Sequence, residues 1–447
     1  MAAGKSLDGD LWQSMFDALM DRIAPRFARV EPRRRVRGFV LGLLSGLPDK
    51  NCWTISEHVG DATPDGMQHL LRKAVWDADK VRDDLRGFVT ERLGDAGAVL
   101  VVDETGDVKK GIHTVGVQRQ YTGTAGRVEN AQVAVYLTYA TDAGHAFIDR
   151  ALYLPKTWTE DTERRAAAGI PTDIKFATKP ALATTMISRA LDAGVNACWV
   201  AGDEVYGADP GLRTELESRG VGYVLAIGCN REVTTAAGRF RADQAAQLVP
   251  RRAWQRYSCG AGAKGPRYYD WAQLDIDPDL PGHHSLLVRR NNHTGELAYY
   301  RCYTPRPVPL QTLVTVAGRR WTVEENFQAG KGLTGLDQHQ VRRWTSWHRA
   351  TILSMLAHAF LAVVTATERG QRPAPTGWIR LTCNEIRHLF TAILIAPIRD
   401  ITHRLRCSAW RRQHQHRAQQ SHYQQRLNRD DPDHENTDST AHHELRL

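Results

Sequence analysis

This chain of 447 residues lacks the features of several common protein classes. Its seven cysteines are scattered and none belongs to a C-x-x-C pair, so neither a zinc knuckle nor a disulfide framework is suggested and a reduced cytosolic setting is expected. We find no internal repeat and, because acidic residues follow soon after the N-terminus, we expect no signal peptide. The most apolar run, residues 352–364, contains His358 and is shorter than the roughly 20 residues that cross a bilayer. It is predicted to be a buried core helix, and no membrane partner is expected.

Positive charge, in contrast, is in excess, with a net charge of +9. Basic residues favour polyanionic partners where they cluster. Three regions show such clusters: the run Arg33, Arg34, Arg35 and Arg37, an arginine-rich region between 231 and 256, and residues 399–417 around Trp410. These regions are the first candidates for contacts with nucleic acid.

Residues 1–96 are predicted to form a helical N-terminal domain that binds DNA. Two helices, at 54–59 and 65–76, are separated by a turn of small residues, as in a helix-turn-helix. The side chains predicted to anchor the second helix are Met67, Leu70, Leu71 and Val75. Those predicted to face DNA are Gln68, His69, Arg72 and Lys73. A plain helical bundle with a solvated basic face explains the same pattern equally well.

From residue 98 the pattern changes to strands joined by helices, which predicts an α/β fold with a mixed sheet. Residues 98–102 are continuously apolar, as in a strand buried on both faces. Further strands are predicted at 114–121, 131–140, 146–154, 197–201 and 222–227, with helices at 180–193 and 210–219. The predicted regions are a core at 97–228, a β-rich insertion at 229–310, a second part of the core at 311–366, and a basic C-terminal region at 367–447 with a linker at 370–377 and a disordered tail from 428.

Three acidic residues stand out within this framework. Asp103 and Asp203 each follow an apolar strand, where α/β sheets form their sites. Glu324 lies on a predicted helix at 319–331, on the same face as Arg320 and Lys331. Taken singly, each aspartate is explained by a turn or a helix cap, and Arg320 with Glu324 by an ordinary helical ion pair. Brought together, three carboxylates repel one another unless cations neutralise them, and oxygen ligands of this kind suit Mg²⁺.

These features together resemble a DDE transposase of a bacterial insertion sequence. The resemblance covers roughly residues 98–365 and depends on the strand order, the runs at 101–106 and 201–207, and the helix with Glu324. In the cut-and-paste group with a β-strand insertion, the signature is Tyr, two residues, Arg, three residues, Glu, six residues, Lys. Arg320, Glu324 and Lys331 match it at that spacing, whereas Ala317 stands in place of the tyrosine.

The resemblance implies an RNase H-like core in which Asp103, Asp203 and Glu324 are both catalytic residues and metal ligands. Two Mg²⁺ ions are expected, with Mn²⁺ able to substitute, because such a pair serves phosphodiester substitution. Arg320 and Lys331 are then expected to hold DNA phosphates.

The implied activity is endonuclease cleavage at transposon ends, followed by strand transfer of the freed 3′-hydroxyl into target DNA. The implied partners are double-stranded DNA, both inverted repeats and target, and a second copy of the chain in a homodimeric synaptic complex. The expected location is the bacterial cytoplasm, at the nucleoid. Two other interpretations stay open: an RNase H-like nuclease without strand transfer, and a non-catalytic DNA-binding regulator descended from a transposase.

Overall fold

A computed structural model describes residues 9–262, 265–372, 379–395 and 401–430. The N-terminal region is helical, as predicted, with α1 Gly9–Ile23, α2 Val30–Leu44, α3 Cys52–Val59, α4 Asp65–Arg72 and α5 Ala78–Leu93. Gly60, at φ 90°, ends α3 in the left-handed conformation that glycine adopts without strain. Met67, Leu70 and Leu71 anchor α4 in the core. The prediction for Val75 was wrong: α4 ends at Arg72, and Val75 is 82% exposed.

One large mixed sheet forms the centre of the molecule. Its ten strands run in the order β2-β3-β1-β5-β6-β12-β11-β10-β9, with β4 also paired to β3. The strands are β1 Val99–Val108, β2 Gln118–Thr122, β3 Arg127–Ala140, β4 His145–Leu152, β5 Trp199–Gly202, β6 Gly222–Ile227, β9 Gln255–Gly262, β10 Gly265–Asp275, β11 His283–Arg290 and β12 Leu297–Thr304, with β7 Glu232–Thr235 and β8 Gly238–Arg241 forming a separate hairpin. Strand β5 runs parallel to its neighbours β1 and β6. Strand β3 runs antiparallel to its neighbours β1 and β4. The mixed sheet confirms the predicted α/β fold class, and its β4-β3-β1-β5-β6 part has the strand order of an RNase H-like core.

Helices lie on both faces of this sheet. The helices after α5 are α6 Lys156–Thr159, α7 Thr162–Ala168, α8 Lys179–Asp192, α9 Glu204–Gly207, α10 Pro210–Ser218, α11 Ala242–Gln247, α12 Leu310–Arg319, α13 Trp321–Thr334, α14 Trp344–Gln371, α15 Cys383–Leu394 and α16 Ile401–Asp430. Helices α8 and α14 contact β4, whereas α12 contacts β5, β6 and β9. Strand β1 shows the consequence for the sequence. Leu100 and Val102 pack into one hydrophobic cluster and Val99 and Val101 into another, so the first four residues of the strand are all apolar, as predicted for 98–102.

Strands from the region of the predicted insertion extend the central sheet. Strand β12 pairs antiparallel with β6, and β11, β10 and β9 follow outward. Helix α12 returns along this extension and lies against β9, with Gly318 so close to Cys259 that a Cβ atom would overlap the Cys259 carbonyl oxygen. The extended sheet therefore sets the direction in which the chain enters α13.

The predicted helix at 319–331 is two helices. Helix α12 ends at Arg319 and α13 begins at Trp321, with Arg320 as the junction residue in α-helical conformation (φ −53°, ψ −33°). The reason is that α12 and α13 pack on different parts of the sheet, α12 on β9 and α13 on β1, β3 and β4. Arg320 therefore directly precedes the helix that carries Glu324 rather than lying inside it.

Helix α14 is the core helix predicted from residues 352–364. Length and composition alone would let it cross a membrane, but 89% of its apolar window is buried inside the protein. It packs against α2, α5, α13, α15 and β4, and so joins the N-terminal helices to the sheet. Most of the predicted linker at 370–377, and the tail from 431, lie outside the described residues, whereas 428–430 belong to α16.

Candidate active site

Asp103 and Asp203 lie side by side on neighbouring strands. The parallel pairing of β1 with β5 ends at Val102 opposite Gly202, so the next residue on each strand is an aspartate. The sequence predicted that the strand ends at Asp103. This was wrong, because β1 continues to Val108 paired with β3. Only the pairing with β5 ends at this point. Asp203 does leave its strand, and its carboxylate accepts a hydrogen bond from the Val205 backbone N–H at 2.9 Å, capping α9.

Burial and neighbouring carboxylates make ionisation of the two aspartates unfavourable. Burial and the neighbouring Asp203 raise the pKa of Asp103 to about 7. Burial and the nearby Glu104 likewise raise the pKa of Asp203. Arg320 opposes both effects but does not cancel them. Such a site favours an additional cation, which would restore both carboxylates to their ionised form.

Glu324 is joined to this pair through Arg320. One guanidinium nitrogen of Arg320 lies 3.2 Å from Glu324 Oε1, and the other lies 3.8 Å from Asp103 Oδ2. The Glu324 side chain is 44% exposed, whereas that of Asp103 is 16% exposed. Arg320 therefore lies between the buried aspartates and the more exposed glutamate.

The neighbouring acid on α13 points elsewhere. Glu325 Oε2 lies 3.1 Å from His145 Nε2, and this contact lowers the pKa of Glu325. The other ring nitrogen of His145 bonds Asn326, which is fully buried and donates to Thr138 at 3.0 Å. These contacts fix the rotation of α13, so that Glu324 rather than Glu325 is directed to Arg320.

Lys331 is held against β1. Its ammonium lies 3.5 Å from Asp107 Oδ1 and 3.4 Å from both the Gly106 carbonyl and Thr124 Oγ1. His339 Nε2 lies 3.8 Å from the other Asp107 oxygen. Lys331 is thus a partly buried ion-pair partner, 17% exposed, on the same strand as Asp103. Its predicted phosphate contact stays a prediction.

Ala317, at the position of the signature tyrosine, is buried on α12. It belongs to the hydrophobic cluster that α12 forms with β9 and the neighbouring strands. A tyrosine there would have to displace packed side chains, since protein cores leave few voids. The absence of the tyrosine therefore agrees with the local packing of this chain.

A second set of residues beside the aspartates was not singled out in the sequence. Glu104 accepts a hydrogen bond from the Tyr206 hydroxyl at 2.6 Å and pairs with the Lys179 ammonium at 2.6 Å. Glu104 follows Asp103, and Tyr206 comes three residues after Asp203. Their bond therefore ties the two acid-bearing segments together. In the sequence, the only indication of a role for Glu104 and Tyr206 is that they lie in the runs 101–106 and 201–207. Their contact is seen only in the tertiary structure.

The basic residues of the N-terminal helices differ in their surroundings. Arg37 pairs with Asp17 at 2.6 Å and lies over the Phe16 ring, so it joins α2 to α1. Arg33 donates to the Phe27 carbonyl at 2.9 Å, and Arg35 lies against Gly66 of α4. Four of the predicted DNA-facing side chains are exposed to solvent. Gln68 and Arg72 lie on α4, Lys73 follows α4, and Arg34 lies on α2.

The donors at the acidic site suit a hard divalent cation, since carboxylate oxygens are the preferred ligands of Mg²⁺, and burial together with the neighbouring Asp203 raises the pKa of Asp103. Within the described residues, however, no group of three or more His, Cys, Asp or Glu side chains is close enough to hold one ion. The predicted triad is thus a close aspartate pair with Glu324 attached through Arg320.

The strand order and the paired aspartates define an RNase H-like protein with an acidic site where the parallel pairing of β1 with β5 ends. Residues 22–276 match the model of the DDE superfamily endonucleases, which is more than half of the chain, and the chain belongs to this family. Members of this superfamily generally use divalent metal ions. The matched region contains Asp103 and Asp203 and ends before Glu324.

Two known proteins are similar to this chain. The probable transposase for insertion sequence element IS701 from Microchaete diplosiphon is 31% identical over 195 residues, or 43% of this chain and 48% of that protein. The chain thus spans about half the length of this curated relative. A cryo-EM structure of the piggyBac transposase synaptic complex with hairpin DNA shows 12% identity and a TM-score of 0.44, covering 90% of this chain and 85% of that one.

Proposed function

We propose that this protein is a DDE transposase that cleaves DNA at transposon ends and transfers the 3′-hydroxyl into target DNA. The observation that carries the proposal is the position of Asp103 beside Asp203 at the end of the β1/β5 pair, with Arg320 bridging Asp103 and Glu324. Membership in the endonuclease family and the similarity to an insertion-sequence transposase support the same activity. An RNase H-like nuclease without strand transfer, and a non-catalytic regulator, are the alternatives.

Asp103, Asp203 and Glu324 would hold the metal, with two Mg²⁺ ions expected and Mn²⁺ able to substitute. When bound, the ions supply a nucleophilic oxygen and stabilise the leaving oxygen of the phosphodiester. The chain contributes a buried, rigid pair of aspartates and a guanidinium beside them. Arg320 offsets part of the acidic charge at the two aspartates. Its guanidinium would hold the scissile phosphate, with Lys331 as the second cation.

The proposed partners are the inverted repeats of the transposon ends and target DNA. The exposed N-terminal residues Arg34, Gln68, Arg72 and Lys73, together with Arg33 and Arg35, would bind the end sequence, while Arg37 supports them through its contact with α1. Two ends must be held at once for transposition, so a homodimer is proposed. The protein would act at the nucleoid in the bacterial cytoplasm.

A plasmid carrying the element's own ends tests this function. Asp103→Asn, Asp203→Asn and Glu324→Gln should each abolish Mg²⁺-dependent cleavage while leaving binding of the ends nearly intact. Glu325→Gln is the matched control, because it changes the neighbouring acid that bonds His145, and it should stay active. Cleavage retained in any of the three would refute the assignment of that residue. Cleavage without joined products in the unaltered protein would favour the nuclease alternative.

A further inference from the structure

A cavity of about 510 Å³ lies between the N-terminal helices and the segment that follows α13. Helices α2, α3 and α4 form one side, and residues 335–346 with the start of α14 form the other. The buried side chains of Phe39, Leu43 and Leu71 provide an apolar wall. The volume is within the range of sites that bind small organic molecules, about 300–1,000 Å³.

The charge around this cavity has one sign. Lys50, Arg72, Arg342 and Arg343 line it, and none of the lining residues in the described part of the chain is acidic. A concave site with cationic groups and low-dielectric walls concentrates positive potential. The cavity therefore favours an anionic ligand.

These cations are available to a ligand. Among the described residues, no ion pair involves the guanidinium of Arg72, Arg342 or Arg343, and all three side chains are exposed at the cavity's rim. Lys50 is only 3% exposed, and its ammonium donates to one acceptor in the described structure, the Ser45 carbonyl at 2.5 Å. Burial and the nearby Arg387 lower the pKa of Lys50 to about 8. Lys50 therefore adds positive potential at the wall of the cavity, whereas the exposed arginines are the groups that a ligand can contact.

We propose that this cavity binds one nucleotide, with its phosphate on Arg72 and Arg342 and its base against the apolar wall. The exposed amide of Gln68 lies at the same cavity and suits the edge of a base. The nucleotide has two sources: an unpaired nucleotide of bound DNA, or a free nucleotide. The first source depends on the proposed action on DNA, whereas the second does not.

Two probes distinguish these sources with the full-length protein. One is a short duplex with a single unpaired 2-aminopurine nucleotide, compared with the same duplex fully paired; the other is free deoxyadenosine 5′-monophosphate. The Arg72→Ala/Arg342→Ala double variant removes two rim cations. The matched control is Arg92→Ala, which removes an exposed arginine of α5 that does not line the cavity. Thermal unfolding verifies that all variants fold.

Binding of an unpaired DNA nucleotide would appear as about tenfold tighter binding of the bulged duplex, with altered 2-aminopurine fluorescence. The double variant should lose this preference and Arg92→Ala should keep it. If the source is a free nucleotide, deoxyadenosine 5′-monophosphate should raise the melting temperature of the unaltered protein and of Arg92→Ala, but not of the double variant, and the duplexes should bind equally.

The proposal is overturned if the double variant and Arg92→Ala behave alike with both probes. Its failure is distinct from failure of the proposed function, because cleavage is assayed separately. A protein that cleaves its ends but shows no nucleotide preference lacks the cavity site. A protein that shows the preference while Asp103→Asn still cleaves keeps the cavity site and loses the assigned active site.

Discussion

Arg320 determines the charge balance at the acidic site. In the described structure its guanidinium pairs with both Asp103 and Glu324, and it offsets part of the rise that burial and Glu104 cause in the pKa of Asp203. Its position at the junction of α12 and α13 gives it this reach, because a residue inside α13 would be directed along one helix face. The hydrogen bond from Tyr206 to Glu104 is the second contact that positions the aspartates, since it joins the two segments that carry them.

At this residue scale, Tyr206→Phe should impair cleavage without unfolding the protein. The substitution keeps the buried ring but removes the hydroxyl that donates to Glu104, a bond to a charged group worth about 1.5–3 kcal/mol. We expect a loss of about tenfold or more in cleavage and a higher Mg²⁺ concentration for half-maximal rate. Plasmid cleavage over a Mg²⁺ titration measures both. Tyr121→Phe, at a tyrosine that is 64% exposed, is the control, and equal activity of the two variants would contradict the role of Tyr206.

At the scale of secondary-structure elements, the position of α12 depends on its close approach to β9. This approach directs the chain into α13 and so orients Arg320 and Glu324. Gly318 permits it, because any side chain there would meet the Cys259 backbone. A second helical glycine, Gly332 of α13, has open space around its Cα and provides a direct comparison.

Gly318→Ala should therefore destabilise the protein, whereas Gly332→Ala should stabilise it. The first change forces α12 away from β9, an overpacking cost of about 1–3 kcal/mol. The second replaces glycine in an exposed helical turn, which gains up to about 1 kcal/mol. Urea unfolding of both variants measures the free energies. Equal effects of the two substitutions would show that the α12–β9 contact does not constrain the fold.

The whole molecule is assembled around α14, and this helix carries a histidine that burial keeps neutral. His358 is 1% exposed, and its ring lies 5.4 Å from that of Phe147. Burial and the nearby His145 lower its pKa to about 3 from an unperturbed value near 6.5. Below about pH 6.5 the unfolded chain therefore binds a proton that the folded chain does not, so stability is lost as the pH falls towards 3.

His358→Leu should make the global stability less sensitive to acid. At pH 5 the difference in proton binding costs the unaltered protein about 2 kcal/mol relative to pH 7 and above, and the variant should avoid this loss. Urea unfolding at pH 7 and pH 5 gives the comparison. His293→Leu changes an exposed histidine and should show the same acid loss as the unaltered protein. Identical pH dependence in the His358 variant would show that other groups dominate acid unfolding.

Local sequence patterns predicted most helices and strands, because the apolar pattern of a segment depends on which of its faces are buried. The apolar run before Asp103 predicted a strand buried on both faces, and residues 222–227 were predicted with the observed bounds of β6. Strand β9 was missed because residues 255–262 are largely polar and glycine-rich, without a clear alternation. The break at Arg320 was missed because the sequence from 319 to 331 is compatible with one helix, and only packing on two parts of the sheet divides it.

The amino-acid sequence by itself determined the class of fold, the buried nature of α14 and the family to which the chain belongs, since these follow from periodicity and from a recognisable run of residues. The tertiary structure decided which distant segments meet. The β1/β5 register places Asp103 beside Asp203, the rotation of α13 turns Glu324 to Arg320, and Tyr206 bonds Glu104. The physical reason is that strand pairing and helix packing join segments far apart in the chain. A local pattern of residues does not indicate which distant segment will pack against it.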